Sequence, residues 1–438
     1  MTPRELLERY LEESRRHGAG AEVQVVASRT QEVVARGERV EVRGEADGVG
    51  VALRLDRRGH AGFAFATGSA DPRSVVRRAL AILERLPPAD TLAAAPEVER
   101  ERTELPPWVP LEETVRRAAE LVETNADGDA ERELRCSQER RICAFGTSEG
   151  VRRADGTTVA SVLLRATEPA RGGSAGHAEL SDHGPELSVL LDRAPERLVS
   201  PAVEQARLLA GPSPAPPVPP RRVVLDAPVA AAILELVATS LTADAVAERR
   251  SRLADRLGTA VAAPYVTIRD EVLGDVPFRP AMDDEGSRTA SRDLLADGIL
   301  VGFLGDRRFS GRVDGAAPGS GWRHPEWAPP RPHPSNLLLV GGADAPTLDD
   351  VDEPTLHVLQ TYGLHMANPV TGDFSIGAGA VLVGANGSRG VAELTVAGNA
   401  FDALTRIEAV GREIRWVGGG TAHYGAPPLL VSGLSIGS

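Results

Sequence analysis

The chain has 438 residues, 42% hydrophobic and 25% charged, an ordinary globular composition that excludes a wholly disordered polypeptide. Forty-nine basic against 62 acidic side chains leave a net charge of −13, so broad recognition of a nucleic-acid backbone is not expected. Every basic residue is arginine, which excludes chemistry that needs an ε-amino group, as in Schiff-base aldolases, pyridoxal-phosphate enzymes, P-loop NTPases and protein kinases.

The elements begin with a capped helix. Thr2 and Glu5 fit a capping box, Pro3 suits the first turn, and Leu6, Leu7, Tyr10 and Leu11 form one apolar stripe. Strand alternation follows at Val23 to Ala27, at Val33 to Val42, and at Val49 to Leu55. Asp56-Arg57-Arg58-Gly59 reads as a hairpin turn into Ala61 to Ala66, and Asp71-Pro72 opens a second helix that Pro87-Pro88 ends. Beyond the proline-containing stretch Pro96 to Pro110, a helix over Leu111 to Asn125 precedes strands at Leu134 to Phe145 and Thr157 to Thr167. A further helix spans Pro195 to Leu209. The proline density of Gly211 to Pro220 marks an extended spacer. The last unit opens with a strand at Val223 to Leu225 and an apolar helix at Pro228 to Leu241, then turns to strand and hairpin signals, among them Asn386-Gly387.

The predicted class is α+β: an N-terminal α/β domain of helices on a sheet (1–95), a middle α+β domain (108–210), a proline-rich linker (211–220) and a β-rich C-terminal domain (221–438). The charged start Met1-Thr2-Pro3-Arg4-Glu5 has no signal-peptide core. The longest apolar stretch, Ala227 to Leu241, contains Glu235 and is too short for a bilayer. A soluble, cytoplasmic, reduced protein without membrane contact is expected.

Individual motifs carry little chemistry by themselves. Gly146-Thr147-Ser148-Glu149-Gly150 matches a nucleophile-elbow pattern, but strand follows it instead of helix, so it reads as a hairpin turn. Cys136 and Cys143 can build neither a disulfide framework nor a four-cysteine zinc site, and their spacing puts them on opposite faces of one strand. His177, Asp182 and His183 lie in glycine-rich sequence and read as a solvated loop. His324 and His333, among Trp322, Trp327 and prolines, read as an ordered irregular loop, and His423 has no partner pattern. Asp283-Asp284-Glu285-Gly286 is the densest carboxylate cluster. It fails the spacing of a calcium loop and is expected to hold a turn through backbone hydrogen bonds.

Four runs together make the chain recognisable: Asp283-Asp284-Glu285-Gly286 with Asp297-Gly298-Ile299-Leu300, Gly372-Asp373-Phe374-Ser375, Glu393-Leu394-Thr395-Val396-Ala397-Gly398-Asn399, and Pro428 to Leu434. In this order the sequence resembles the TldD/PmbA family, the modulators of DNA gyrase, and within it the PmbA (TldE) branch. The resemblance makes Asp283, Asp284, Glu285, Gly286, Gly372, Asp373, Glu393 and Asn399 family-motif positions of structural role. In the TldD subunit a helix bearing H-E-x-x-x-H and a later cysteine hold the metal. The matching helix here puts Glu235 and Ser240 near the histidine positions and Leu236 near the catalytic glutamate, and no cysteine follows Cys143. The resemblance therefore implies no catalytic or metal-binding residue in this chain, and zinc in a TldD-like partner. It implies a heterodimer with that partner, a homodimer when the chain is alone, and short or unfolded peptides as substrate. The segment Arg312 to His333 differs from typical members. It keeps open a natural-product tailoring role in peptide-like metabolite biosynthesis, and the family name a third, gyrase-related interaction role.

Overall fold

The computed structural model describes residues 1–37, 39–68, 70–85, 105–123, 130–170, 174–211, 220–324, 327–348, 355–384 and 387–437. Pro87, Pro88, Asn386 and residues 212–219 of the proline-rich spacer lie outside the described residues, as do the side chains at 392 and 393, including Glu393. Among the described residues no helix is long and apolar enough to cross a membrane.

Helix α1 (Pro3–Arg16) starts at the expected box: the Glu5 amide donates to Thr2 Oγ1 at 3.3 Å and the Thr2 amide to Glu5 Oε2 at 2.8 Å. Then come β1 (Gly20–Arg36), β2 (Arg39–Arg57), β3 (His60–Thr67), α2 (Pro72–Leu83), α3 (Leu111–Glu123), β4 (Glu131–Thr147), β5 (Arg152–Glu168), β6 (Gly176–Gly184), α4 (Leu187–Ala194) and α5 (Ser200–Leu209). The six strands form one antiparallel sheet in the order β3-β2-β1-β4-β5-β6. Because β1 pairs with β4, the sheet continues from the first predicted domain into the second. Strand alternation sends Val23, Val25, Leu53, Leu134, Val162 and Leu164 to the helix-covered face. The opposite face is polar and turns toward the rest of the chain.

Three local readings change. The run Val33 to Val42 is a hairpin, because Gly37 takes φ 53° between β1 and β2. The helix expected from Pro195 begins instead at Leu187. Pro195 has no N–H to continue the α ladder, and a π turn over Pro195–Val199 joins α4 to α5. His177, Asp182 and His183 stand on β6, not in a loop. The glycine that made the segment read as loop serves close packing: a Cβ at Gly176 would lie 1.9 Å from the Ala206 carbonyl oxygen of α5.

The second half opens with β7 (Arg222–Leu225) and α6 (Ala227–Ala238), a one-turn 3₁₀ extension over Thr239–Leu241, and α7 (Ala243–Ala247). Strands β8 (Val266–Asp270), β9 (Arg292–Ala296) and β10 (Ile299–Leu300) follow. Four two-residue strands come next: β11 (Phe303–Leu304), β12 (Ala316–Ala317), β13 (Gly321–Trp322) and β14 (Arg331–Pro332). The chain continues with β15 (Asn336–Gly341), β16 (Thr355–Tyr362), β17 (Asp373–Gly384), β18 (Gly387–Asn399) and α8 (Ala400–Thr405). It ends with β19 (Ile407–Val410), β20 (Arg415–Gly419), β21 (Ala422–Ala426), β22 (Leu429–Ser432) and β23 (Ser435–Gly437).

Two large sheets result, β10-β9-β8-β15-β21-β20 and β19-β22-β7-β16-β17-β18-β23, with β11-β12 and β13-β14 as two-stranded ladders, and α6 packs on strands of both large sheets. Val229, Ala230, Ile233, Leu234 and Val237 bury this helix almost all round, which is why its sequence is apolar without a polar face. Three of the family-motif residues make one node beside it. Asn399 caps α8 by accepting from the Phe401 amide at 3.0 Å, and its Nδ2 donates to Asp373 Oδ1 at 2.7 Å. Gly372 sits at φ 79°, where a Cβ would lie 2.6 Å from the Phe401 ring.

Candidate functional site

The acidic run forms the seam between the two halves. Asp283 closes a turn, accepting from the amides of Glu285 (3.0 Å), Ser287 (2.8 Å) and Gly321 (2.9 Å). Gly286 follows at φ 72°, and a Cβ there would sit 2.4 Å from the Phe145 ring of β4. Asp284 reaches across: Oδ1 accepts from Gln24 Nε2 at 2.6 Å and Oδ2 from the Arg323 amide at 2.8 Å. Glu285 Oε2 accepts from the Arg307 amide at 2.7 Å, and the Arg307 guanidinium pairs with Glu22 of β1 at 2.8 Å. Asp155 of β5 accepts from the Ala281 amide at 2.7 Å, and Arg153 donates to the Gly286 carbonyl. Burial pushes the carboxyl pKa values of Asp283 and Glu285 up, while their backbone donors pull the other way. The chemistry of this arrangement is that of a clasp.

Helix α6 packs on β15, β16, β20 and β21. Glu235 is its one exposed acid, with its carboxyl pKa raised by partial desolvation. Leu236 packs into the core at 7% exposure. Ser240 is fully buried and its Oγ accepts from the Arg252 amide at 3.3 Å. A tetrahedral zinc site needs three or four converging N, S or O donors, and these three positions offer one open carboxylate. The donor set does not fit the metal.

At the C-terminal end of α6 a hollow of about 240 Å³ is lined by Thr242, Asp244, Trp322, His324, His333 and Tyr424. The two imidazole rings lie 5.1 Å apart. His333 Nδ1 is 3.0 Å from the Pro334 carbonyl, which assigns the proton to Nδ1 and leaves the Nε2 lone pair free. Sequence reasoning did not bring these two rings together, because the histidines lie nine positions apart with no ligand-like spacing.

A larger groove, about 450 Å³, crosses the polar face of the N-terminal sheet and ends at Gly418, Gly419, Gly420 and His423 of the β20–β21 hairpin. His183 and His423 meet edge to face at that end, ring centroids 5.5 Å apart. Alternation of His177, Glu179, Ser181 and His183 against Ala178 and Leu180 was the sequence signal for this strand. Nothing in the sequence announced His423.

Burial pulls His183 down to about 4 and His423 to about 3, from 6.5. A base whose folded value is depressed contributes stability above pH 6.5, and that stability is lost as pH falls toward 4. Asp270, raised to about 6 by burial, acts in the opposite sense, as do Asp283 and Glu285. The difference between wild type and His423→Phe isolates the imidazole. Between pH 7 and pH 5 it should move by about 2 kcal/mol in favour of the variant. Urea unfolding of both proteins at the two pH values measures it, and a constant difference would contradict the buried neutral ring.

With fold and seam in place, the comparisons identify the class. Residues 221–438 match the PmbA/TldA metallopeptidase C-terminal domain and residues 21–83 the PmbA/TldA metallopeptidase domain 1. The chain belongs to the TldD/PmbA family. A metalloprotease of Archaeoglobus fulgidus is 28% identical over 230 residues, covering 49% of this chain and 53% of that relative. Metalloprotease MJ0996 of Methanocaldococcus jannaschii is 32% identical over 102 residues, 23% of each chain. The chain thus spans about half or less of the curated relatives it matches. Two solved structures share the whole fold. TM0727 of Thermotoga maritima, described as a modulator of a DNA gyrase, has a TM-score of 0.85 at 19% identity over 100% of both chains. TldE of Thermococcus kodakarensis has a TM-score of 0.79 at 18% identity, over 98% of this chain and 100% of that one.

Proposed function

We propose that this chain is the PmbA/TldE-type, non-catalytic subunit of a peptidase whose TldD-like partner carries the zinc, acting on short or unfolded peptides. The observation that carries this reading is the state of α6: Leu236 is packed into the core and Ser240 Oγ is occupied by the Arg252 amide. A water activated for hydrolysis needs a Lewis acid or a positioned base, and this helix holds neither arrangement. The relatives named metalloproteases support the peptidase theme, and the TldE neighbour shares the fold. Zinc, when present in the complex, supplies the hydrolytic chemistry from the partner. This chain contributes the clasped sheet as one wall of the space that the two subunits would enclose.

Elemental analysis of the purified chain is the direct test. Fewer than about 0.1 zinc per chain is expected, because one open carboxylate cannot retain the ion through purification. One tightly held zinc per chain would overturn the assignment.

A further inference from the structure

We propose that the groove across the polar face of the N-terminal sheet binds an extended peptide segment through its backbone amides. The peptide as ligand rests on the reading above; the groove is argued from its own residues. Its floor consists of two cross-strand rows. Gly44, Glu32, Ser137, Ser161 and His183 stand in register on five successive strands, β2, β1, β4, β5 and β6. Ala46, Thr30, Glu139 and Val159 form the row beside them. Five strands at about 4.8 Å spacing span about 19 Å, the length of about six residues of extended chain.

The lining argues against two other ligand classes. Among the described residues it contains no Phe, Tyr or Trp on which a base or sugar could stack. Arg43 is its one guanidinium, too little to cradle a phosphate. What it offers instead are groups that both donate and accept. The Ser137 and Ser161 hydroxyls bond each other at 2.7 Å and keep acceptor sites open to the groove. At the closed end, His183 is 8% exposed and its Nδ1 has no hydrogen-bond partner; His423 stands fully enclosed behind it with both ring nitrogens unpartnered. An unpaired buried polar atom is costly, and His183 Nδ1, on the more exposed of the two rings, is the one a ligand in the groove would satisfy. His183 Nε2 lies 3.1 Å from the Ser181 hydroxyl, so Nδ1 is the ring atom left to meet an amide of the peptide. At the lip, a Cβ at Gly419 or Gly420 would meet nothing within 4 Å, so bare backbone is open to a passing chain. The small floor leaves side-chain identity unread, and recognition falls on the backbone.

Fluorescence polarisation with a labelled, uncharged Ala/Ser hexapeptide and the full chain tests this. Saturable binding is expected. The same peptide N-methylated at alternate amides should bind at least tenfold more weakly, because it keeps the side chains and loses the donors. Ser137→Leu with Ser161→Leu should weaken binding at least tenfold at an unchanged melting temperature. Ala46→Trp, at the exposed far end of the groove, should do the same if the double variant folds poorly. Equal binding of the plain and N-methylated peptides, full binding by Ala46→Trp, or no saturation up to about 1 mM would each overturn the proposal. Failure of a TldD-like protein to co-elute with the chain would count against the subunit reading alone, since peptide binding is measured on this chain by itself.

Discussion

Asp284→Leu should destabilise the protein by about 3–5 kcal/mol, the usual cost of leaving a buried polar partner and a guanidinium without their carboxylate. The wild-type carboxylate holds Gln24 Nε2 at 2.6 Å and the Arg323 amide at 2.8 Å, and Arg323 Nε in turn donates to Gln24 Oε1 at 2.9 Å. Removing Asp284 strands two donors at once and takes the nearest acid from Arg323, whose own pKa is already pulled down by desolvation. Asp284→Asn keeps one acceptor oxygen and should cost less, about 1–2 kcal/mol. Thermal and urea unfolding of the three proteins gives the ranking. A leucine variant as stable as the asparagine variant would show that the seam is held elsewhere, through Asp283 or the Arg307–Glu22 pair.

How much of this was legible in the sequence follows from the range of the forces involved. The Thr2–Glu5 box, the Asp71 cap, the Arg58-Gly59 turn and the alternation of β4 and β5 are local, so residue type and spacing suffice to read them. The acidic run was readable as a turn, because Asp283 bonds amides within four residues of itself. That Asp284 reaches back to Gln24 was not, since the two lie 260 residues apart and only the fold brings them together. The same holds for His183 with His423 and for the cross-strand rows of the groove. Register, not sequence distance, made Glu32, Ser137, Ser161 and His183 neighbours. Pro195 misled for a different reason: it breaks α hydrogen bonding for one turn but not the helical path, so a helix longer than the expected one runs through it.

The largest functional effect should appear on mixing. Assayed alone on a short unstructured peptide, the chain should show no hydrolysis above background, whereas the same chain co-purified with a TldD-like subunit should exceed that rate by at least about 10³-fold. The magnitude follows from the chemistry: amide hydrolysis without an activated water is slow, and α6 offers only the exposed Glu235 where a donor set would be required. Subunits that jointly enclose a substrate need an interface of the obligate kind, above about 2,000 Å² in total, so the mixed complex should survive size-exclusion chromatography at nanomolar concentration. Alone, the chain should run as a homodimer. Glu235→Gln in the complex discriminates further. A carboxylate that binds no metal can lose its charge with less than about a twofold change in rate, whereas a ligand would lose most of the activity. Full peptidase activity from the isolated chain, or collapse of the mixed activity in Glu235→Gln with the complex intact, would place catalysis in this subunit after all.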